Sequence, residues 1–318
     1  MKPLVVVVGS FVQDLCWQCA EFPRAGETVI GTFVTGPGGK GSNQAVAAGR
    51  AGARTLFIGA VGRDVFADAV RKFYRAEGIG ARFIEKPRQA TGSAAILVNA
   101  AAQNEIVVAL GASAHLLPRD IDGALIRGAK VVVCQHEANL PVNAHVFRLA
   151  RKAGAVTVLN PAPMRPDFDP SILALTDVLI PNETEFVALV NLLRPVPGGT
   201  FTETALHAMS HGELHGLCQD LGVATVIVTL GKRGCLVSTR RGPTFIAAHA
   251  GIKVVDTTGA GDAFVGGFAA GFVQSGGDIV AAARHGNAVA ALSVTKYGTA
   301  PAMPTKAEIA RFLRRSAA

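Results

Sequence analysis

Val254-Val255-Asp256-Thr257-Thr258-Gly259-Ala260-Gly261-Asp262-Ala263-Phe264 is the stretch from which the fold is best read. Val254-Val255 reads as the end of a strand. Gly259-Ala260-Gly261 reads as a turn small enough for a ligand to approach the backbone, and Ala263 to Gly271 has helical length and small residues throughout. A Gly-rich turn opening a helix leaves backbone N–H groups unpaired at the positive end of the helix dipole, which makes an anion site. A carboxylate immediately after that turn, Asp262, is placed to deprotonate a hydroxyl beside a phosphoryl group. The plainer alternative is a strand–turn–helix link in which Asp262 is an N-cap.

Working outward, the same strand–turn–helix grammar fills the chain. Leu4 to Val8 is an apolar opening strand, followed by helical patterning at 43–53, a strand at 55–60 and a helix at 65–77. From Lys130 onward, segments at 130–134, 143–153, 155–159, 171–175, 177–180, 183–193, 203–221, 225–228 and Cys235 to Ser238 alternate. Helices at 263–274, 278–295 and 306–315 close the chain. This is the βαβ rhythm of an α/β protein with a doubly wound, Rossmann-like, mostly parallel sheet. Two β excursions interrupt it, at about 11–34 and 93–110. Within the second, Ser93 to Asn99 and Glu105 to Leu110 flank a short polar link and read as a hairpin. Asn191 to Thr204, with Pro195, Pro197, Gly198 and Gly199, reads as a surface loop.

Composition bounds the function. The 318 residues are 49% hydrophobic, enough for a large core, and no apolar run reaches membrane-spanning length. The five-residue apolar run near the N-terminus is a buried strand rather than a secretory signal, so a cytoplasmic protein is expected. The net charge of +8 is scattered except in the last helix, with Arg311, Arg314 and Arg315, and 6% aromatic residues are too sparse for a stacking platform; a general attraction for anionic nucleotides explains the charge as well as a nucleic acid does. Cys16 and Cys19 form a Cys-x-x-Cys without a second ligand pair, and would point to opposite faces of a strand. His207, His211 and His215 recur every four residues, as on one face of a helix, and read as a solvated stripe rather than a metal site.

A second Gly-rich stretch, Gly36-Pro37-Gly38-Gly39-Lys40-Gly41-Ser42-Asn43-Gln44, precedes a helical run. Asn182-Glu183-Thr184-Glu185 follows the apolar Val178-Leu179-Ile180, and Thr229-Leu230-Gly231-Lys232-Arg233-Gly234 follows Thr225 to Val228. In this order, with the Asp256–Asp262 run last, they resemble the ribokinase family of carbohydrate kinases over nearly the whole chain. The resemblance implies one ribokinase-like domain over 1–318, with the β excursions forming a lid over a sugar site and a homodimer contact. It implies ATP-dependent transfer to a sugar hydroxyl, D-ribose O5 in the first instance, with Asp262 as general base and Gly259, Ala260 and Gly261 as anion hole. On the sugar side it implies Asp14 on two hydroxyls, contacts from the loop Gly39, Lys40, Gly41, Ser42 and Asn43, and Glu137 as a further acid. On the nucleotide side it implies Thr229, Leu230, Gly231, Lys232, Arg233, Gly234, Gly261 and Asn287. Asn182 and Glu185 would organise Mg²⁺ largely through water, which suits that ion. Asp256, Thr258, Ser293, Lys296, Gly298 and Ala302 match a K⁺ site.

Two positions depart from the family pattern. Val12 stands where many members carry Asn, so the anomeric end of the sugar is read differently, with Gln13 and Trp17 as candidates to compensate. Ala302 stands where Ser usually offers K⁺ an oxygen. Other kinases of this family, for 2-deoxyribose, fructose, 2-keto-3-deoxygluconate or a nucleoside, are the alternatives, and a non-catalytic sugar-binding protein is a third reading. Gly36 to Gly41 also satisfies G-x-G-x-x-G, but it does not follow the first strand directly, as a dinucleotide fingerprint must. It is no P-loop either, because Gly41 stands where Ser or Thr is required.

Overall fold

A computed structural model describes residues 4–101, 103–194 and 199–316. The strands are β1 (Val5–Val8), β2 (Val12–Gln18), β3 (Thr32–Gly38), β4 (Thr55–Val61), β5 (Gly80–Glu85), β6 (Gly92–Val98), β7 (Asn104–Ala109), β8 (Val131–Cys134), β9 (Val156–Leu159), β10 (Val178–Leu179), β11 (Thr225–Thr229), β12 (Gly234–Thr239) and β13 (Gly242–Ala247). The helices are α1 (Lys40–Arg50), α2 (Val65–Glu77), α3 (Gly123–Ile126), α4 (Leu140–Lys152), α5 (Glu183–Leu193), α6 (Glu203–Ala208), α7 (His211–Asp220), α8 (Ala260–Gln274), α9 (Ile279–Ser293) and α10 (Lys306–Ser316).

Nine strands form the main sheet in the order β13-β12-β11-β10-β9-β8-β1-β4-β5. Those from β5 across to β11 are parallel, while β12 and β13 are antiparallel at the far edge. Strands covered on both faces must be apolar throughout, and β1 and β8, Val-Val-Val-Val and Val-Val-Val-Cys, are wholly buried. One face packs on α1, α2, α8 and α9 through residues such as Val5, Val7, Phe57, Tyr74 and Phe268. The other packs on α4, α5 and α7 through Val6, Val8, Phe147, Phe186 and Leu214. Helices α8 and α9 lie close because their contact is lined with glycine. A Cβ on Gly286 would sit 2.7 Å from the Phe264 carbonyl oxygen.

The sheet is wound outward in both directions from the β1/β8 boundary, and a doubly wound fold places its ligand crevice at such a switch point, beyond the strands' carboxyl ends. The small second sheet, β3-β2-β6-β7, gathers both β excursions, with β6 and β7 paired as the expected hairpin. It reaches past residue 34, because β3 runs to Gly38. It is mixed rather than antiparallel: β2 pairs with β6 in parallel.

Several boundaries differ from the sequence pattern. Val254-Val255 is not a strand; Val254 is 58% exposed, and the Val255 N–H donates to the Val294 carbonyl in a loop-to-loop bond. Helix α1 starts at Lys40 and α4 at Leu140, each three residues before the pattern suggests. The 171–175 segment is a 3₁₀ turn, Pro170–Leu175. The 203–221 run breaks at Met209, because Ser210 and Glu213 form a capping box that starts α7. That break divides the histidines. His207 on α6 bonds Glu183, His211 stacks on Phe245 and His215 bonds Ser238, and no metal-binding cluster exists among the described residues. All five cysteines are free. In the 191–204 stretch, the Asn191 side chain bonds both backbone groups of Phe201; Pro195, Pro197 and Gly198 lie outside the described residues. No helix is long and apolar enough to cross a membrane.

Candidate active site

At the switch point, Ser10 follows β1 and Glu137 follows β8. The Ser10 hydroxyl donates to Glu137 Oε2 at 2.6 Å, and the Lys40 backbone N–H donates to the same oxygen at 2.8 Å. The start of α1 is thus tied to the crevice. Its Gly39 cap has φ +87°, a left-handed conformation that glycine adopts without strain.

Asp262 is not an N-cap. Gly259 (φ +77°) caps α8 without any side-chain bond, and Asp262 sits three residues on, inside the first turn. The Ala260 N–H donates to the Thr257 carbonyl at 3.2 Å, whereas the Gly261 N–H, with no capping side chain on it, is left to a ligand. A Cβ added to Gly261 would meet nothing within 4 Å, so the turn borders open space. The Asp262 carboxylate is buried at 6% exposure. Asn43 Nδ2 donates to its Oδ2 at 3.0 Å, and Gln44 Nε2 donates to its Oδ1 at 2.9 Å.

Charge is concentrated here. Burial pushes the Asp262 carboxyl up from the ordinary carboxylate range, against the opposing pull of Lys40 and of the Asn43 and Gln44 donors. Burial works against the Lys40 ammonium, but Asp262, Glu137 and Glu185 outweigh it and hold Lys40 above its usual value. Asp14, on β2, rises to about 6, first through burial and then through Glu137 and Asp262, with a Thr299 hydrogen bond opposing. Clusters of perturbed carboxyls in a crevice mark functional sites.

Asp14 fits because Gly38, the diagonal residue on β3 that pairs with Val12, lacks a side chain: a Cβ there would collide with the carboxylate. Val12 and Asp14 share one face of the small sheet, and Gln13 lies on the other. Gln13 Nε2 is engaged by Thr35 Oγ1 at 2.7 Å and by the Gly36 carbonyl at 2.9 Å. Trp17, on the same outer face as Gln13, packs on Phe33 with ring centroids 5.0 Å apart. Neither side chain is brought to the face that carries Asp14. Val12 is 3% exposed.

Asn182 caps α5 in a reciprocal capping box with Glu185: Asn182 Oδ1 accepts the Glu185 N–H, and Glu185 Oε2 accepts the Asn182 N–H. Glu185 Oε1 has no protein partner among the described residues, and burial raises this carboxyl. One free carboxylate oxygen without a full protein cage fits a magnesium ion that keeps most of its water. The Thr229 N–H donates to the Pro181 carbonyl, which fixes Asn182 beside the turn Thr229 to Gly234. In that turn Gly231, Lys232 and Arg233 form a 3₁₀ segment, Leu230 is buried, and Gly234 has φ +112°. Asn287, on α9, donates to the Ala247 carbonyl at 2.8 Å.

Asp256 bridges two loops, accepting from the Thr258 N–H at 2.8 Å and the Gly298 N–H at 2.9 Å. Each carboxylate oxygen retains a lone pair for a cation. Other side chains at the expected K⁺ positions are engaged elsewhere: Lys296 Nζ on Glu308 at 2.7 Å, and the Ser293 hydroxyl on the Ala290 carbonyl at 2.9 Å. Ala302 offers a buried methyl. The set fits a cation held by Asp256 and backbone carbonyls, with one oxygen fewer.

Sequence reading passed over Ser10, Gln44, Asn160 and Thr299. Asn160 carried a usable signal, a polar residue directly after an apolar strand. Thr299, 3.4 Å from Asp14 Oδ2 and 285 positions away, carried none.

Against known proteins, residues 2–306 match the pfkB family of carbohydrate kinases. The chain is 36% identical to a deoxyribokinase of Salmonella typhi over 97% of its own length and 98% of that protein. It is 35% identical to a ribokinase of Haemophilus influenzae over 98% and 99%. The structure of Arabidopsis thaliana ribokinase complexed with ribose and ATP superposes with a TM-score of 0.83, at 29% identity over 99% of both chains. The family match spans nearly the whole chain, and these relatives cover it at a third identity or close to it, so this chain belongs to the pfkB family of carbohydrate kinases.

Proposed function

We propose that this kinase transfers the γ-phosphoryl group of ATP to the 5-hydroxyl of D-ribose, forming ribose 5-phosphate. The observation that carries the reading is the buried Asp262 carboxylate at the open N-terminus of α8, in the same crevice as Asp14. Asp262 accepts the proton of the attacking hydroxyl, and the Gly259-Ala260-Gly261 turn, through the N–H groups that the fold leaves free there, stabilises the charge that builds on the transferred group. Asp14 accepts from a vicinal diol through its two oxygens. Gly39 to Asn43 and Glu137 complete the sugar side. The turn Thr229 to Gly234 and Asn287 hold the nucleotide. Mg²⁺, held through water by Asn182 and Glu185, neutralises phosphate charge when bound. Asp256 and the carbonyls of the 293–302 loop would hold K⁺, whose charge would order the Gly259 turn.

The small sheet acts as the lid that keeps water from the phosphoryl group. Its exposed apolar residues, Trp17, Phe33 and Val107, support a homodimer formed through it. Five free cysteines suit a reducing cytoplasm.

A second reading has its own observation. Val12, buried and apolar on the sugar face of β2, can pair with no sugar hydroxyl, which suits a pentose with one hydroxyl fewer, and one of the similar proteins is a deoxyribokinase. A coupled ADP-release assay across D-ribose, 2-deoxy-D-ribose, fructose, 2-keto-3-deoxygluconate and nucleosides decides between them. D-ribose is expected to give the highest kcat/KM. A higher value for 2-deoxyribose, with a Val12→Asn variant shifting preference back to ribose, establishes the second reading. Turnover of neither pentose while another substrate reacts refutes both and leaves the kinase.

A further inference from the structure

Behind the Asp262 carboxylate lies a chain of buried amides that none of the roles above uses. Gln44, wholly buried on α1, directs Nε2 to Asp262 Oδ1 and to Asn160 Oδ1, at 2.9 Å each. Its Oε1 accepts from Gln135 Nε2 at 2.6 Å. Asn160 Nδ2 donates to the Ile180 carbonyl at 2.9 Å, and Asn143 Nδ2 donates to the Gln135 carbonyl at 2.7 Å. The chain therefore joins α1, the carboxyl ends of β8 and β9, and the residue that follows β10.

The network permits one orientation of the Gln44 amide. The Ile180 carbonyl can only accept, so Asn160 must turn its NH₂ toward it and its oxygen toward Gln44. Turned over, Gln44 would set its oxygen against those of Asn160 and Asp262, and its NH₂ against that of Gln135. Gln135 presents its donor although its own Oε1 is left without a partner, a buried polar atom that most folds satisfy. Both Nε2 hydrogens of Gln44 are thus committed, one of them to the carboxylate. Asn43, the other donor to Asp262, lies in the sugar loop, whereas Gln44 has no exposed surface and cannot reach a substrate.

We propose that Gln44 is a positioning residue for the general base, fixing the Asp262 carboxylate plane and favouring its ionised form, with Gln135 locking the Gln44 amide in its donating orientation. The proposal rests on reading Asp262 as the base. The titratable groups facing Asp262 are Lys40 at the start of α1, Glu137 after β8, Asp14 on β2 and Glu185 on α5. Substitution of Gln44 leaves all four in place. A hydrogen bond to a carboxylate favours its charged form, so removing it moves the base's titration upward.

The test is the single-turnover phosphoryl-transfer rate against pH, at saturating MgATP and saturating D-ribose (or whichever sugar of the panel turns over fastest). Saturating sugar keeps Asp14 engaged, so that the acid limb reports the base in the ternary complex. For Gln44→Met the limb should move up by about one pH unit, with the rate at pH 7 reduced roughly 10- to 100-fold and partly recovered at higher pH. The KM for ATP should stay within about twofold. Gln135→Met, which does not touch Asp262, should shift the limb the same way by less. A rate unchanged at every pH, or reduced by one constant factor at every pH with the limb unmoved, overturns the proposal. Should Gln44→Met fail to fold, Gln135→Met decides, and an unshifted limb there is equally negative. Asp262→Asn separates the two layers. If it keeps near-normal turnover, the base assignment falls. If it loses turnover while the Gln44→Met limb stays in place, only the positioning role falls.

Discussion

Asp14 is the residue at which sugar binding and stability should pull in opposite directions. Its carboxyl is raised from the ordinary 3.8 to about 6, chiefly by burial. The unfolded chain therefore ionises at lower pH than the fold does. The cost to the fold begins as pH rises past 3.8 and is complete above about 6. At 1.36 kcal/mol per pH unit, the full cost is about 3 kcal/mol at pH 7.5 and about 1 kcal/mol at pH 4.5. Asp14→Asn keeps the size of the side chain and can still accept from Thr299, but carries no charge to desolvate. For a chain of this length, about 3 kcal/mol corresponds to a rise in Tm of roughly 4–5 °C. Calorimetry of the sugar-free protein should show that rise at pH 7.5 and only about 1–2 °C at pH 4.5. The same variant should bind sugar worse, because it loses a charge-assisted acceptor for one of two hydroxyls; KM for ribose should rise roughly 10- to 100-fold. In the wild type, KM should rise as pH falls below about 6, where Asp14 takes up its proton. Destabilisation of Asp14→Asn at pH 7.5, or the same shift at both pH values, would refute the charge-burial reasoning. An unchanged KM would refute the sugar role.

Two further outcomes follow from the lid and the cation loops. Hydrogen exchange at residues 11–34 and 93–110 should slow when ribose is added, since the small sheet must close to exclude water; no change in either segment argues against a lid. Activation by KCl, at ionic strength balanced with tetramethylammonium, should need more K⁺ in the wild type than in Ala302→Ser. Equal half-activating concentrations would remove position 302 from the ligand set, and no response in either protein would remove the cation from the mechanism.

The parts of the fold that were legible in the sequence are those with strong local signals. Val5–Val8 and Val131–Cys134 are apolar throughout because they are buried on both faces, and the turn at Gly259 leads into a helix. Strands β5 and β13 went unread. Gly-Ala-Arg-Phe-Ile-Glu and Gly-Pro-Thr-Phe-Ile-Ala lie at the two edges of the main sheet, where partial exposure dilutes the apolar pattern. Val254-Val255 has strand propensity but no strand neighbour, so tertiary context overrides it. The Asp262 motif was legible as a motif, while its supporting shell was not. Gln44 meets Gln135, Asn160 and Asp262 across separations of 91, 116 and 218 residues. Such contacts depend on sheet order, which no local pattern encodes. The Ser210-x-x-Glu213 capping box was visible in the sequence, and it explains a helix break that four-residue periodicity alone hides.

The most direct test of the account is product formation from D-ribose and γ-labelled ATP by the wild type and by Asp262→Asn, with the product's phosphate located by NMR. The account predicts label on the 5-hydroxyl with the wild type, and a rate about 10²- to 10⁴-fold lower with Asp262→Asn at nearly unchanged ATP affinity. Phosphate on another hydroxyl, or near-normal turnover by Asp262→Asn, would contradict it.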